Sequence, residues 1–432
     1  MQIIGAILCT LVGLRLAQSV ASAYQEHSRS AARGRLSLEL LSEQVAAAKA
    51  LRVRREQQQL HWNGYRKFRV RDKVVEAKDI CSFYLVPHDE KPLPPFRPGQ
   101  FLTFRMDLPK GNDERGTRKP VVRCYSLSDA PPESNDPEHN FYRITVKRVP
   151  APPDSSHPPG RVSNYLIDQV QVGDILDVQA PRGDFCLDPE SAHPVVLIGG
   201  GVGITPVLSM TEAILRVNPS RHVWLFYGIR CGPDHAMKDR LRQLDQAYEN
   251  FHLHVCYSCP QEGDWEGTDY HTRGHVGVEV LQKVLKVNNF EYYICGPPAM
   301  MNTLVPALED WGVPKDRIFM EAFGPATVKK TATVPKLPEV SAPGAERAVI
   351  TVEFSRSGKS LVWNGSQANI LDLALANSIE IDSGCRAGSC GSCEVAVKSG
   401  TVDYTVDSRT ECGAGSCLTC VSVPKGNIVL DA

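Results

Sequence analysis

Hydrophobic positions along this chain change their period several times, and each change marks a segment with its own predicted structure. The chain begins with an apolar run over residues 3–23, long enough to reach across a bilayer core as a helix. Arg15 lies past the middle of that run and Gln18, Ser19 and Ser22 dilute its second half, so a tilted or interfacial helix is the competing reading. Ala21-Ser-Ala23 imitates a signal-peptidase site, but no basic segment precedes the run. Leu36, Leu40, Leu41, Val45, Ala48 and Leu51 then recur at helical spacing, which predicts a short amphipathic spacer helix, with self-association as the alternative. From residue 61 to 188 the pattern shifts to short apolar runs broken by Pro and Gly, as in a small antiparallel β-barrel. It shifts again after Pro194. Val195-Val-Leu-Ile198 is uniformly apolar, as a buried parallel strand is. Strands over 223–227, 251–256 and 292–294, with a helix near 237–249, extend this into an α/β parallel-sheet domain. Residues 329–346 are rich in Pro, Ala and Thr with no apolar period, which reads as a tether.

At 432 residues the chain exceeds what one core usually holds, so about three folded domains are expected. A net charge of −1 and a pI near 6.9 leave no electrostatic footprint for nucleic acid. The charge is locally uneven: residues 26–73 carry twelve Lys/Arg against five Asp/Glu. A basic stretch directly after an apolar one is a membrane signature, and by the positive-inside rule it predicts a single N-terminal anchor with the rest of the chain on the cytoplasmic side.

Candidate chemistry is densest near the C-terminus. Cys385, Cys390 and Cys393 stand as Cys-x4-Cys-x2-Cys, the ligand spacing of a plant-type [2Fe–2S] cluster, and Gly384, Gly388 and Gly391 free the backbone to wrap a cluster closely. A disulfide knot is the competing reading, disfavoured in a chain that otherwise looks intracellular. The run Cys412-Gly-Ala-Gly-Ser-Cys417-Leu-Thr-Cys420 repeats the spacing, and any of its cysteines could approach the irons. The segment from about 347 to the end resembles plant-type ferredoxins, an α+β β-grasp fold. Because ferredoxins place the last ligand in a Leu-x-Cys before a strand, the resemblance implies Cys420 as the fourth ligand. Cys412 and Cys417 are then small packed residues or spare thiols.

Two upstream motifs point to a flavin. Arg123-Cys-Tyr125-Ser126 offers a fork for phosphate, a flat face for stacking and a short hydroxyl donor. Gly160-Arg-Val162-Ser163 reads as a turn opening a helix, whose free amides suit a pyrophosphate. Together with Pro98-Gly-Gln100, they resemble the ferredoxin reductase superfamily, in which the Arg pairs with flavin phosphate, the Tyr packs on the isoalloxazine and the Ser lies near its N5 edge. The run through Ala180-Pro-Arg-Gly-Asp-Phe185 resembles the reductase half of flavohaemoglobins, which implies FAD. FMN, used by phthalate dioxygenase-type reductases, is the runner-up.

Gly199-Gly200-Gly201-Val-Gly203-Ile-Thr205-Pro206 follows the apolar strand and opens a helix, a dinucleotide phosphate-binding pattern. In the same superfamily Cys295-Gly296-Pro297-Pro298 lies at the nicotinamide, and Phe323 of Glu321-Ala-Phe323-Gly-Pro lies against the flavin. Arg230 could hold a 2′-phosphate or be a surface charge, and the resemblance favours NADH over NADPH. Cys256 and Cys259 have no partner pair at zinc spacing, and His271 and His275 lie in a polar loop; none is assigned a role.

The expected organisation is therefore multidomain. It comprises an N-terminal helical membrane anchor (1–25), a basic helical spacer (26–60), an antiparallel β-barrel flavin domain (61–188) and an α/β parallel-sheet NAD(P) domain (189–328). A linker (329–346) and a β-grasp ferredoxin domain (347–432) follow. Nicotinamide gives two electrons together and a [2Fe–2S] cluster takes one, so a flavin must stand between them. Ser126, Cys295 and Phe323 are the residues expected beside the reacting rings. The expected function is electron delivery from NAD(P)H through FAD and the cluster to a partner protein, a membrane-associated oxygenase. Reductases of the hybrid-cluster-protein or quinone type are alternatives, as is a redox sensor or scaffold.

Overall fold

The described residues of this computed structural model are 41, 44, 45, 62–109, 118–132, 139–151, 159–323, 350–386, 388, 390–406 and 412–432. Six strands, β1 (Arg66–Ala77), β2 (Ile80–Pro87), β3 (Phe101–Pro109), β4 (Arg118–Ser126), β5 (Tyr142–Lys147) and β6 (Ile175–Arg182), form the first sheet. Their order is β4-β3-β6-β1-β2-β5, with antiparallel pairs throughout. A Leu127–Ile144 bridge brings the two ends of the sheet together, so it rolls into a barrel. Phe68, Val70, Phe83, Leu85, Phe104 and Ile144 fill the interior. The short helix α1 (Arg161–Asp168) adds Val162 and Leu166 to the same core.

A second sheet is parallel, in the order β10-β9-β8-β7-β11-β12. It comprises β7 (Val195–Gly200), β8 (Val223–Ile229), β9 (Phe251–Tyr257), β10 (Thr272–Arg273), β11 (Glu291–Gly296) and β12 (Ile318–Ala322). Every residue of β7 is buried because helices cover both faces. Val195 and Leu197 pack toward α2 (Ile204–Val217) and α3 (Lys238–Ala247) on one face. Val196 and Ile198 pack toward α4 (Val278–Leu285) and α5 (Pro298–Asp310) on the other, the period of two that a strand imposes. The connection direction reverses between β7 and β11, which opens a crevice at the carboxyl ends of these two strands. The buried Arg143 of β5 reaches Glu212 of α2 at 3.5 Å, joining the barrel to this domain.

The last domain builds a mixed sheet in the order β14-β13-β19-β15-β17 from β13 (Ile350–Phe354), β14 (Lys359–Trp363), β15 (Glu394–Ser399), β17 (Ser416–Leu418) and β19 (Ile428–Leu430). Strands β16 (Val402–Tyr404) and β18 (Ser422–Pro424) pair separately. Strands β13 and β19 run parallel, and α6 (Ile370–Ala376) packs Ile370, Leu373 and Ala374 into the same core as Val352 and Phe354. Asn369 caps α6 by accepting the Asp372 amide at 2.9 Å.

The expected fold class is corrected at its first element. No helix among the described residues is long and apolar enough to cross a membrane, so the anchor and the membrane association built on it are withdrawn. The physical objection is already present in the run itself: a cation such as Arg15 costs about 2.5–3.5 kcal/mol at the centre of a spanning helix. Residues 1–25, the linker 329–346 and all of 26–60 except Leu41, Gln44 and Val45 lie outside the described residues.

Candidate functional site

The cysteine loop connects α6 to β15, and its tight path depends on Gly388 and Gly391, both left-handed at φ 80° and 71°. Cys390, Cys393 and Cys420 are buried and Cys385 is half-buried. The Cys393 and Cys420 sulphurs stand 3.1 Å apart, and the Cys385 and Cys390 amides each donate to the other residue's sulphur at 3.3 Å. Hydrogen bonds from Cys124 and then Cys385 pull the Cys390 thiol far below its usual range. Convergent thiols, two of them met by backbone amide donors, fit an iron–sulphur cluster. Cys417 lies elsewhere, fully buried in the domain core opposite Val395. Cys412 contacts the Tyr404 hydroxyl and donates to the Ser416 carbonyl at 3.3 Å.

Four consecutive residues at the end of β4 reach three different parts of the molecule. Arg123 donates to the Ser383 carbonyl of the cysteine loop at 3.3 Å. Cys124 hydrogen-bonds the Cys390 side chain. The Tyr125 hydroxyl lies 3.1 Å from Ser163 in α1, and burial pushes it up to about 12. Ser126, 6 % exposed, hydrogen-bonds Glu321 at the end of β12. Gly160 precedes α1 without a side-chain cap, leaving the first amides of that helix available, while Val162 belongs to the barrel core.

In the crevice of the parallel sheet the two glycine motifs press on each other. A Cβ on Gly203 would stand 2.2 Å from the Cys295 carbonyl oxygen, and one on Gly200 would stand 2.8 Å from Pro297. Gly296 faces Gly200 in the same way, its Cβ position 3.2 Å from the Gly200 Cα. Gly201 turns left-handed at φ 56° into α2, and Thr205 donates its hydroxyl to the Val202 carbonyl at 3.0 Å. The bare Cα surface, at the N-terminal end of α2, is a cradle for a dinucleotide phosphate. Cys295 is fully buried, with its thiol raised by burial and then by Glu321. The Glu321 carboxyl, pushed up to about 8 by burial, has one oxygen without any partner. Phe323 is half-buried against the domain core.

The structure thus brings Ser126 and Cys295 together around Glu321, and it gathers Cys385, Cys390, Cys393 and Cys420 in one loop region. Sequence reading passed over Glu321 as part of a closing motif. Its signal was a carboxylate at a strand end among apolar residues, which only the fold shows to be buried.

Three domain families match the chain: an oxidoreductase FAD-binding domain over residues 67–186, an oxidoreductase NAD-binding domain over 197–305, and a 2Fe-2S iron-sulfur cluster binding domain over 353–425. A flavohemoprotein of Halalkalibacterium halodurans is 40 % identical over 265 residues, 61 % of this chain and 61 % of that protein. The chain therefore spans about 61 % of the length of the curated relatives it matches. The flavohem-like FAD/NAD-binding domain of nitric oxide dioxygenase from Vibrio cholerae is 32 % identical with a TM-score of 0.51, covering 61 % of this chain and all of that one. Phthalate dioxygenase reductase, described as modular for electron transfer from pyridine nucleotides to [2Fe-2S], is 29 % identical with a TM-score of 0.50, covering 87 % of this chain and 99 % of that one.

Proposed function

From the premise that this chain belongs to the ferredoxin reductase-type flavoproteins, with FAD- and NAD-binding domains and a C-terminal [2Fe–2S] domain, we propose that it oxidises NADH and delivers electrons singly to the oxygenase component of a multicomponent system. The observation that carries this reading is the end of β4, where one short stretch touches both the nicotinamide-side residues and the cysteine loop. When bound, FAD would supply the two-electron to one-electron conversion, taking one hydride and giving up its electrons singly.

The chain's own residues supply binding, orientation and proton control. Tyr125 would present its face to the flavin ring, with Ser126 at its reactive edge. Arg123, Gly160 and the amides of Val162 and Ser163 would hold phosphate. Gly200, Gly201, Gly203 and Thr205 would cradle the nicotinamide dinucleotide, with Cys295, Gly296, Pro297 and Phe323 around its reacting end. Glu321, neutral up to about pH 8, can hold a proton against Ser126 while water is excluded. Cys385, Cys390, Cys393 and Cys420 would be the cluster ligands.

An oxygenase partner is favoured by the likeness to phthalate dioxygenase reductase across most of both chains. Steady-state reduction of cytochrome c with each nicotinamide tests the core of the reading. Rapid reduction with a clear preference for NADH is expected. A protein replete in flavin and cluster that reduces no one-electron acceptor would sink it.

A further inference from the structure

Side chains alternate along β4. Arg123 and Tyr125 pair across from Phe104 and Leu102, which belong to the barrel core, so Cys124 faces the other side together with its partner Thr103. On that side lies the cysteine loop, and two guanidinium groups from neighbouring positions reach its backbone. Arg123 donates to the Ser383 carbonyl at 3.3 Å and Arg182 donates to the Cys390 carbonyl at 3.4 Å. Gly384 permits the approach: a Cβ there would stand 2.9 Å from the Cys124 sulphur and 3.1 Å from the Cys390 sulphur. Both sulphurs thus crowd the bare Cα of one glycine. The Cys124 thiol is thereby placed beside the Cys390 sulphur as a candidate donor, and the Thr103 hydroxyl lies 3.4 Å from it.

We propose that Cys124 is a positioning residue for internal electron transfer, an S–H donor to the Cys390 sulphur that ties the flavin-motif strand to the cluster and raises the cluster's reduction potential. The inference rests on the assignment of Cys390 as a cluster ligand. Its physical basis is the charge change on reduction: an added electron makes the ligand sulphurs more negative, so a donor stabilises the reduced form more than the oxidised one. Burial strengthens the effect, because Cys390 is only 3 % exposed and little water competes for its sulphur. One electron arrives and no bond forms or breaks; the proton stays on Cys124. The residue sits between Arg123 and Tyr125, so the same backbone segment that orients the flavin also sets the position of the ligand.

The test is an EPR-monitored redox titration of the purified holoprotein, comparing wild type with Cys124→Val and Cys124→Ser. Removing the donor in Cys124→Val is expected to lower the reduced-to-oxidised ratio of the cluster at a fixed potential about tenfold, a downward shift of ~59 mV for a one-electron couple. Cys124→Ser keeps an O–H donor and is expected to recover most of the shift, which a purely steric role would not produce. Thr103→Val, which leaves the sulphur in place, is expected to move the midpoint less than Cys124→Val. A midpoint unmoved in Cys124→Val overturns the proposal, as does a Cys124→Ser midpoint that follows the valine variant. Wild-type holoprotein lacking the [2Fe–2S] signal overturns the ligand assignment together with this inference, whereas a normal wild-type signal with an unmoved variant overturns this inference alone.

Discussion

The two junctions at the end of β4 are built from opposite chemistry. Toward the parallel sheet, Ser126 meets a buried carboxyl: Glu321 is pushed up to about 8, and Cys295 beside it is fully buried. Toward the cysteine loop, Cys124, Arg123 and Arg182 offer a thiol and two guanidinium groups to sulphur and backbone carbonyls, with no carboxylate in those contacts. Hydride exchange leaves protons to be placed, so a group that can hold one near neutral pH belongs on the first side. Single-electron passage moves charge without protons, and donors that stabilise added negative charge suit the second.

Breaking each junction should therefore give different losses. The largest effect is expected on the cluster side: Cys393→Ser or Cys420→Ser should remove the cluster's EPR and visible signals and abolish cytochrome c reduction, while NADH-dependent ferricyanide reduction persists. Cys417→Ser should keep the cluster, because its sulphur lies in the domain core, and cost about 1–3 kcal/mol in denaturant unfolding for burying a hydroxyl. On the nicotinamide side, Glu321→Gln should slow flavin reduction by NADH ~100-fold in stopped flow. That variant should also change the pH dependence of stability. The folded carboxyl titrates at about 8 against an ordinary value of 4.5, so its favourable contribution is complete below 4.5 and is lost as pH rises through 8. Thermal unfolding across that window should fall more steeply for wild type than for Glu321→Gln.

Two smaller changes sharpen the contrast. Gly203→Ala places a methyl 2.2 Å from the Cys295 carbonyl oxygen and should cost about 1–3 kcal/mol in thermal unfolding, with a raised KM for NADH and the cluster signal intact. Arg182→Ala removes one hydrogen bond at 3.4 Å to the Cys390 carbonyl and should cost only about 0.5–1.5 kcal/mol, read by denaturant unfolding of the holoprotein.

Much of the architecture is readable from local pattern. The uniformly apolar Val195–Ile198 run announces a two-sided buried strand, and Cys385, Cys390 and Cys393 carry their ligand spacing within one loop. Glycine positions are readable for the same reason, since Gly201, Gly388 and Gly391 serve left-handed turns that depend on near neighbours alone. What escapes is contact between distant segments. Glu321 and Ser126 belong to different domains, and so do Cys124 and Cys390, so neither pairing leaves a periodic trace. Val162 shows a further limit: the motif marks its backbone, while its side chain belongs to the barrel core. The apolar N-terminal run misled because hydrophobicity over a suitable length predicts a spanning helix whatever the fold does with it.

The central claim is that one chain converts paired electrons from NADH into single electrons at its own cluster. Anaerobic titration of the holoprotein with NADH, followed by EPR at each addition, tests it most directly. The account predicts that the [2Fe–2S] signal grows as NADH is consumed, with the cluster fully reduced by sub-stoichiometric to stoichiometric nicotinamide. A flavin that bleaches while an intact cluster stays oxidised would contradict it.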